Sequence, residues 1–459
     1  MSAGRTRAAS TVAARRQPLT ITGDLVIAVV IVAAAPMFGF WIGHGGTQQF
    51  ATFAGAATAV GQLTALAGTY LALVQLVLMS RSPWLDRTFG MDRLAVWHRW
   101  LGFATVWLLV AHGAFTTVGF AAASDTSIVA EVWAMVTTYP FVLMAVASLG
   151  LFILVAVSSV RWARRRLSYE TWYGLHLYAY LAIVLGSAHQ LVVGTDFMDD
   201  ALARAYWILL YAAVVILILA FRVGQPIATS LHHGLRVANI VAEGPGVVSI
   251  YLTGQHLEQL PADAGQYFQW RFLTRATWWR THPFSLSAAP NGHWLRITVK
   301  ALGDDTRVLG SLPIGTRVFV EGPYGALTLA RRSRRGVVLI AGGIGIAPIR
   351  ALYEALPPST GDVALIYRAS GAEDLVLRAE LDEIARVRGH RVHYLVGQRG
   401  TRLVPADPLG PEAIAQLVPD VAERDAYLCG PVAMMRRVED TLERLGVPRA
   451  QVHAERFAY

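Results

Sequence analysis

Six apolar stretches, at about 21–43, 50–79, 93–119, 132–158, 169–193 and 201–222, are each long enough to cross a bilayer as a helix rising about 1.5 Å per residue. They occupy the first half of a 459-residue chain, and no comparable run follows residue 222. Hydrocarbon offers a backbone amide no partner, so such runs satisfy their hydrogen bonds within a helix and pack side by side. The glycines and Pro36 inside them are tolerated on the same terms. Residues 21–222 are therefore expected to form a six-helix transmembrane bundle, preceded by a tail at 1–20.

Arginines in short loops orient such a bundle. Arg5, Arg7, Arg15 and Arg16 of the tail, then Arg81, Arg87 and Arg93, then Arg161, Arg164, Arg165 and Arg166, all fall on one side. The opposite loops carry Asp125, Glu131, Asp196, Asp199 and Asp200, with Arg204 the exception. No small-residue cleavage signature precedes a short apolar core, so the tail reads as retained and cytoplasmic. Both termini then lie in the cytosol, the chain sits in the plasma membrane among lipid, and everything after Arg222 folds on the cytoplasmic side.

The net charge of +9 is accounted for by those loops. No basic stripe interleaved with aromatics is present, which argues against a nucleic-acid partner. Cys429 is the single cysteine, so the chain has no intramolecular disulfide, no Cys-ligated iron–sulfur cluster and no thiolate-built zinc site. Any redox centre must use other ligands.

From about 235 the pattern changes to short alternating strands, as in Val247–Leu252, Tyr267–Phe272, Leu295–Val299 and Arg317–Val320. Residues 235–330 read as a small antiparallel β-barrel. Beyond the basic Arg331–Arg335 stretch, Gly336–Ala341 is an unbroken buried-strand run. A Gly-rich turn, a helix and a second strand at Val363–Tyr367 follow. This βαβ rhythm makes 336–459 an α/β domain with a parallel sheet.

Of thirteen histidines, four fall inside the spans: His98 and His112 on the third, His176 and His189 on the fifth. An ionisable ring in hydrocarbon is costly and usually has a partner. Fourteen residues bring His112 about 21 Å along its helix and within about 40° of the face of His98. Both spans run outward from the cytoplasm, so His98 matches His176 in depth and His112 matches His189. A lone histidine there more commonly donates a hydrogen bond between helices. Two facing pairs instead suit planar haems held by both axial positions, whereas pairs without nearby carboxylates or thiolates do not complete a tetrahedral zinc site. The thirteen residues from His176 to His189 put these rings about 140° apart on a straight helix, so a distortion near Gly186 or a rotation between layers is expected.

The H-x13-H and H-x12-H spacings on spans three and five resemble the ferric reductase and NADPH oxidase superfamily, where such histidines hold two b-type haems. The resemblance runs from about residue 21 to 459. His282-Pro283-Phe284-Ser285-Leu286-Ser287 resembles the family's flavin motif. Phe284 supplies an apolar face, Ser285 a hydroxyl for the N5 edge and His282 a donor for the pyrophosphate, although the soluble ferredoxin-reductase branch usually has Arg at that place. Lys300, the only lysine, and the turn Gly303-Asp304-Asp305-Thr306 stand where the family contacts the FAD pyrophosphate.

Gly342-Gly343-Ile344-Gly345-Ile346-Ala347-Pro348 follows a strand and opens a helix, so its bare backbone can approach a pyrophosphate. With Leu428-Cys429-Gly430-Pro431 further on, it resembles the nicotinamide half of ferredoxin-NADP reductases, in which Cys429 would border the nicotinamide as a shape element. A plain buried cysteine is the other reading. The ending Glu455-Arg456-Phe457-Ala458-Tyr459 resembles the family's Glu-x-aromatic, with Phe457, or its rival Tyr459, stacking on the flavin. Arg368, joined by Arg399, stands where a 2′-phosphate is read, favouring NADPH over NADH.

The resemblance implies hydride transfer from NAD(P)H to FAD, then single electrons through an inner haem (His98, His176) and an outer haem (His112, His189). Outer loops at about 43–49, 120–131 and 194–200 are short, and Thr116 replaces a histidine common in the oxidases. Both features favour a ferric chelate as acceptor, and His44 with the outer aspartates offers attraction for a metal cation. A superoxide-generating oxidase using O2, or a haem-binding relay passing electrons to a partner protein, are the alternatives.

Overall fold

The computed structural model describes residues 23–194, 200–358, 360–397, 400 and 407–456. The first half consists of helices α1 (Gly23–Gly43), α2 (Phe53–Leu78), α3 (Pro83–Phe89), α4 (Met91–Ala123), α5 (Ile128–Thr138), α6 (Val142–Ser159), α7 (Arg161–Arg164), α8 (Tyr169–Val193), α9 (Ala201–Ile218) and α10 (Gln225–His233). Among the described residues, six helical segments are long and apolar enough to span a membrane: α1, α2, α4 from Arg93, α6, α8 from Glu170, and α9 continued to His233. Their outward faces carry exposed Ile31, Val32, Trp107, Val157 and Val184, as a lipid-facing surface requires. The protein is a multi-pass membrane protein.

Two span boundaries differ from the hydropathy reading. The fourth, expected at 132–158, is divided: α5 ends at Thr138, Tyr139 is extended, and Phe141 at φ 61° precedes α6. Pro140 lacks an amide hydrogen and pushes the residue before it out of the helical region, which breaks the run despite its continuous apolarity. The sixth, expected to stop at 222, passes through a π-helical turn at Leu219–Gly224 and on into α10. Arg222 is accommodated there by donating to the carbonyl of Met79 at 3.0 Å.

Within the bundle α2 lies along α4, and α6 along α8. Gly61 permits the first approach, since a Cβ there would sit 2.4 Å from Thr116 Oγ1. Small residues at such crossings are how membrane helices gain close contact without a hydrophobic driving force. α8 is one continuous helix with no break at Gly186.

Strands β1 (Arg236–Gly244), β2 (Val247–Thr253) and β5 (Leu295–Lys300) form one antiparallel sheet, and β3 (Tyr267–Phe272), β4 (His282–Ser285) and β6 (Val318–Tyr324) another. The strands expected to form a small barrel form instead two three-stranded antiparallel sheets, bridged at Arg236–Arg317 and Leu286–Ile297. Alternation explains the core: Phe268, Trp270 and Phe272 point inward at 0% exposure, while Tyr267, Gln269 and Arg271 point away.

The C-terminal part is a five-stranded parallel sheet in the order β11 (Val452–Arg456), β10 (Asp425–Gly430), β7 (Val337–Gly342), β8 (Val363–Ala369), β9 (Arg391–Val396). Helices α11 (Asp304–Arg307), α12 (Ile346–Ala355), α13 (Arg378–Arg388), α14 (Pro411–Leu417) and α15 (Val432–Arg444) complete the chain. β7 is buried at every position, as a strand covered on both faces must be.

Candidate functional site

The rings of His98 on α4 and His176 on α8 face each other with centroids 5.8 Å apart. Two metal–nitrogen bonds of about 2 Å, plus the two ring radii, ask for a separation of about 6 Å. One layer further along, His112 and His189 lie within electrostatic reach of each other. The Nδ1 of His112 donates to the Gly61 carbonyl at 2.9 Å, with Thr116 Oγ1 3.2 Å away. A carbonyl only accepts, so the proton is on Nδ1 and Nε2 keeps its lone pair for a ligand. The close α2–α4 crossing at Gly61 is what brings this carbonyl to the ring.

In each layer one further ring nitrogen, Nδ1 of His98 and Nδ1 of His189, is buried, with the backbone of Gln75 and of Phe141 beside the respective ring. A ring held through one nitrogen keeps the other for a ligand. Among the described residues no three His, Cys, Asp or Glu side chains converge on a point. Pairs of imidazoles fit a porphyrin-bound iron, whose ring supplies the remaining ligands, better than a bare ion. The residues present therefore fit two haems.

At the flavin motif, β4 pairs with β3 so that His282 lies opposite Trp270 and Ser285 opposite Tyr267. His282 Nε2 and Ser285 Oγ are both buried and unpartnered. The His282 and Phe284 rings are nearly parallel, 5.8 Å apart. His282 and Phe284, two residues apart, share one face of the strand with Trp270 and Phe268, and Ser285 places its hydroxyl on the other face beside Tyr267. Burial, aided by the nearby Arg280 charge, pushes the His282 imidazolium below its ordinary range. At neutral pH it therefore offers a hydrogen bond and no charge. Pro283 is the half-buried spacer between them.

Lys300 and the Gly303–Thr306 turn are brought together at the end of β5, but their groups are engaged. Lys300 Nζ pairs with Asp374 at 3.0 Å, and Thr306 Oγ1 accepts from the amides of Leu302 and Gly303. At the nucleotide turn, Gly343 adopts φ 52°, and a Cβ on Gly345 would meet the Cys429 carbonyl at 2.4 Å. Glycine is needed because β10 passes directly behind the turn. Gly342 ends β7, Pro348 is buried in the first turn of α12, and Gly430 and Pro431 lead into α15.

Arg368 does not offer an open guanidinium. It donates to the carbonyls of Ala369, Leu395 and Gly397 along the ends of β8 and β9. Cys429 is fully buried, and burial with the nearby Glu455 carboxylate pushes its thiol well up, so no thiolate forms at neutral pH. Glu455 stands beside Cys429 in the β10–β11 register. Its carboxylate also lies against Gly325, where a Cβ would be 3.1 Å from Oε2. Phe457, Tyr459 and Arg399 fall outside the described residues, as do the tail arginines and Asp196 and Asp199. His44 Nε2 meets Asp200 Oδ2 at 3.1 Å, joining α1 to α9.

A contact that motif reading missed joins the bundle to the flavin module. Arg81 Nη1 donates to Glu321 Oε1 at 2.6 Å, and the Tyr324 hydroxyl donates to the same oxygen at 2.9 Å. The Gly325 amide donates to Asp86 Oδ2 at 3.0 Å, while the Met91 amide caps Asp86 Oδ1. The loop carrying α3 thus docks on the end of β6, next to Glu455. The signal available in the sequence was a buried-type acid, Asp86, inside a loop otherwise marked by arginines. A second missed cluster joins the flavin and nucleotide domains. Arg296, 2% exposed, donates to Ser287 and, with both terminal nitrogens, to Glu380, which also pairs with Arg350.

Residues 64–187 match the family described as ferric reductase like transmembrane component, residues 233–328 a FAD-binding domain, and residues 339–440 an oxidoreductase NAD-binding domain. The three matches together give the chain a ferric reductase and NADPH oxidase type of architecture. Its ferric reductase-type membrane domain is fused to a ferredoxin-reductase-type module with FAD- and NAD(P)-binding domains. The chain is 31% identical over 316 residues to a flavohemoprotein of Chromobacterium violaceum, covering 62% of this chain and 74% of that protein. It is 27% identical over 237 residues to a flavohemoprotein of Oceanobacillus iheyensis, covering 48% of this chain. It is 31% identical over 236 residues to the ferredoxin reductase component of a Mycolicibacterium smegmatis 3-ketosteroid-9-alpha-monooxygenase, covering 49% of this chain. The chain spans 58% and 65% of the length of these last two. Among solved structures, the FAD/NAD-binding domain of a Vibrio cholerae nitric oxide dioxygenase aligns at 25% identity and TM-score 0.43, covering 49% of this chain and 98% of that one.

Proposed function

We propose that the protein is a transmembrane oxidoreductase that takes hydride from NAD(P)H on the cytoplasmic side and delivers electrons to an extracytoplasmic acceptor, a ferric chelate. The observation that carries this reading is the arrangement of imidazoles in two layers, His98 facing His176 and His112 within electrostatic reach of His189. When bound, FAD converts a two-electron hydride into single electrons, and the haem pair carries these through the membrane.

The chain's own residues have distinct tasks in this scheme. His98 and His176 would hold the inner haem, and His112 and His189 the outer one, with the Gly61 carbonyl fixing the His112 tautomer. Phe284 lies against the flavin ring, Ser285 donates to its N5 edge, and neutral His282 bonds without charge. The two sheets serve as facing walls of the flavin barrel. Gly342, Gly343 and Gly345 let the nicotinamide nucleotide approach the α12 N-terminus, whose amides favour phosphate. Cys429 and Glu455 shape the nicotinamide side, Cys429 as a neutral thiol. Arg368 is committed to backbone carbonyls, which leaves the nucleotide choice as NAD(P)H and weakens the case for a 2′-phosphate reader.

The arginine-rich loops face the flavin module, which supports a cytoplasmic placement of both. On the far side the short outer loops and the His44–Asp200 pair support a metal complex as acceptor over an enclosed oxygen pocket. The test is anaerobic reduction of the purified FAD- and haem-loaded protein by NADPH or NADH, followed by ferric chelate or O2. Haem reduction followed by faster reoxidation by ferric chelate is the expected result. Failure of either nucleotide to reduce the haems would overturn the reading, and faster reoxidation by O2 would replace the acceptor.

A further inference from the structure

The turn between β3 and β4 has two adjacent tryptophans on its surface. Trp278 is 60% exposed and Trp279 48%, although the neighbouring strand buries Trp270 completely. This exposure does not come from a loose loop. Thr277 is 2% exposed, donates from Oγ1 to the Phe272 carbonyl at 2.7 Å and shares a hydroxyl contact with Thr274, also at 2.7 Å. The Trp278 amide donates to Thr274 O at 3.0 Å and the Arg280 amide to Thr277 O at 3.0 Å. Burying Thr277 in a braced turn forces the next two side chains outward.

The turn also lies at a definite depth. Arg280 is within electrostatic reach of Glu170, at the end of α8 where that helix enters the membrane. At the same end of the bundle, Trp162 is 65% exposed with the Arg166 guanidinium 3.9 Å from its ring centre. Arg164 stacks on Trp172 at 4.7 Å. Arg280 stands over Trp279 in the same way at 4.3 Å, and Arg275 is exposed in the turn. Tryptophan with arginine is the pairing suited to a membrane–water boundary, where indole meets the acyl region and guanidinium meets phosphate.

We propose that the β3–β4 turn, through Trp278, Trp279, Arg275 and Arg280, is an anchor that seats the flavin module on the phospholipid headgroups beside α8. The α3 contact at Glu321 and Gly325 holds the module to protein on one side, and the turn holds it to lipid on another. Because β4 begins two residues after Arg280, the anchor sets the orientation of the strand bearing His282 and Ser285 relative to the bundle. The depth claim stands without the electron-transfer reading; only the kinetic consequence rests on it.

The experiment uses the full chain in liposomes. Cys429 is fully buried, so Ala276→Cys supplies the one accessible thiol for a fluorescent label. Lipids carrying a nitroxide at the headgroup should quench this label several-fold more than a label at Val387→Cys, an exposed site on α13. Quenching should be stronger in phosphatidylglycerol-containing vesicles than in phosphatidylcholine alone. The W278A/W279A variant should slow inner-haem reduction at least threefold while ferricyanide reduction by NAD(P)H stays within twofold. Quenching no greater than at Val387 would overturn the anchor, as would efficient 276–276 cross-linking between copies. Equal quenching in both lipids would overturn the role given to the arginines.

Discussion

Replacing Arg81 with Gln tests whether the α3 loop controls electron delivery from the flavin module to the membrane. Arg81 is held at φ 60°, a region that costs a non-glycine residue about 1–3 kcal/mol and persists where surrounding contacts demand it. Its guanidinium meets Glu321 at 2.6 Å, with side chains 26% and 16% exposed. A solvated pair would contribute about 0–1 kcal/mol, and breaking a fully buried one costs about 3–5. This exposure lies between, giving about 2 kcal/mol, or about 30-fold in the docked-to-undocked ratio. Stopped-flow reduction under anaerobic conditions should therefore show haem reduction slowed by up to about 30-fold. Ferricyanide reduction, which needs only the soluble domains, should stay within twofold. Glu321→Gln should do the same, and the double variant should be no worse than either single one, since both remove one shared interaction. Additive effects, or equal loss of ferricyanide reduction, would refute the docking argument.

His112→Leu should leave one haem per chain, bound by His98 and His176; a variant with full haem content in the pyridine haemochrome assay would reject the pairing. Arg296→Met removes the donor to Ser287 and leaves Glu380 with Arg350 alone, so it should destabilise the flavin–nucleotide interface by about 3 kcal/mol, read as a lower temperature of flavin release. Burial raises the Glu380 carboxyl, but the Arg296 hydrogen bond and the Arg350 and Arg296 charges outweigh it and hold it below its ordinary 4.5. Its stabilisation is thus complete above pH 4.5 and is lost as pH falls through the lower folded value; Glu380→Gln should flatten that acid limb of the melting profile, and an unchanged limb would contradict it. Burial pushes the Cys429 thiol up, so it should resist iodoacetamide at pH 8 in the folded protein, and rapid labelling detected by mass spectrometry would argue against the assigned role.

The readings that came directly from the sequence concern local, additive quantities. Transfer of apolar residues into hydrocarbon sums along a run, so six spans were visible, and strand alternation exposed β2, β3 and β5 for the same reason. Where a local rule competed with that sum, the rule won: Pro140 divides the fourth span. α8 runs without a break past Gly186, while His176 faces His98 and His189 lies within electrostatic reach of His112, because the approach of neighbouring helices bears on which rings meet as well as the phase of one.

Motif chemistry was legible as residue type but not as availability. Arg368 and Lys300 stand at their expected places, yet carbonyls and Asp374 already engage them, and such partners lie on other strands and loops. The Arg81–Glu321 contact spans 240 residues, and in the sequence Arg81 was fully explained as an orientation charge. Thus the sequence alone determined the membrane-spanning helices and the order of flavin and nucleotide segments, because each depends on neighbours along the chain. Only the tertiary structure decided which loop docks on β6, which cations are already paired and which tryptophans face outward. Those depend on surfaces meeting across distances that no local pattern encodes.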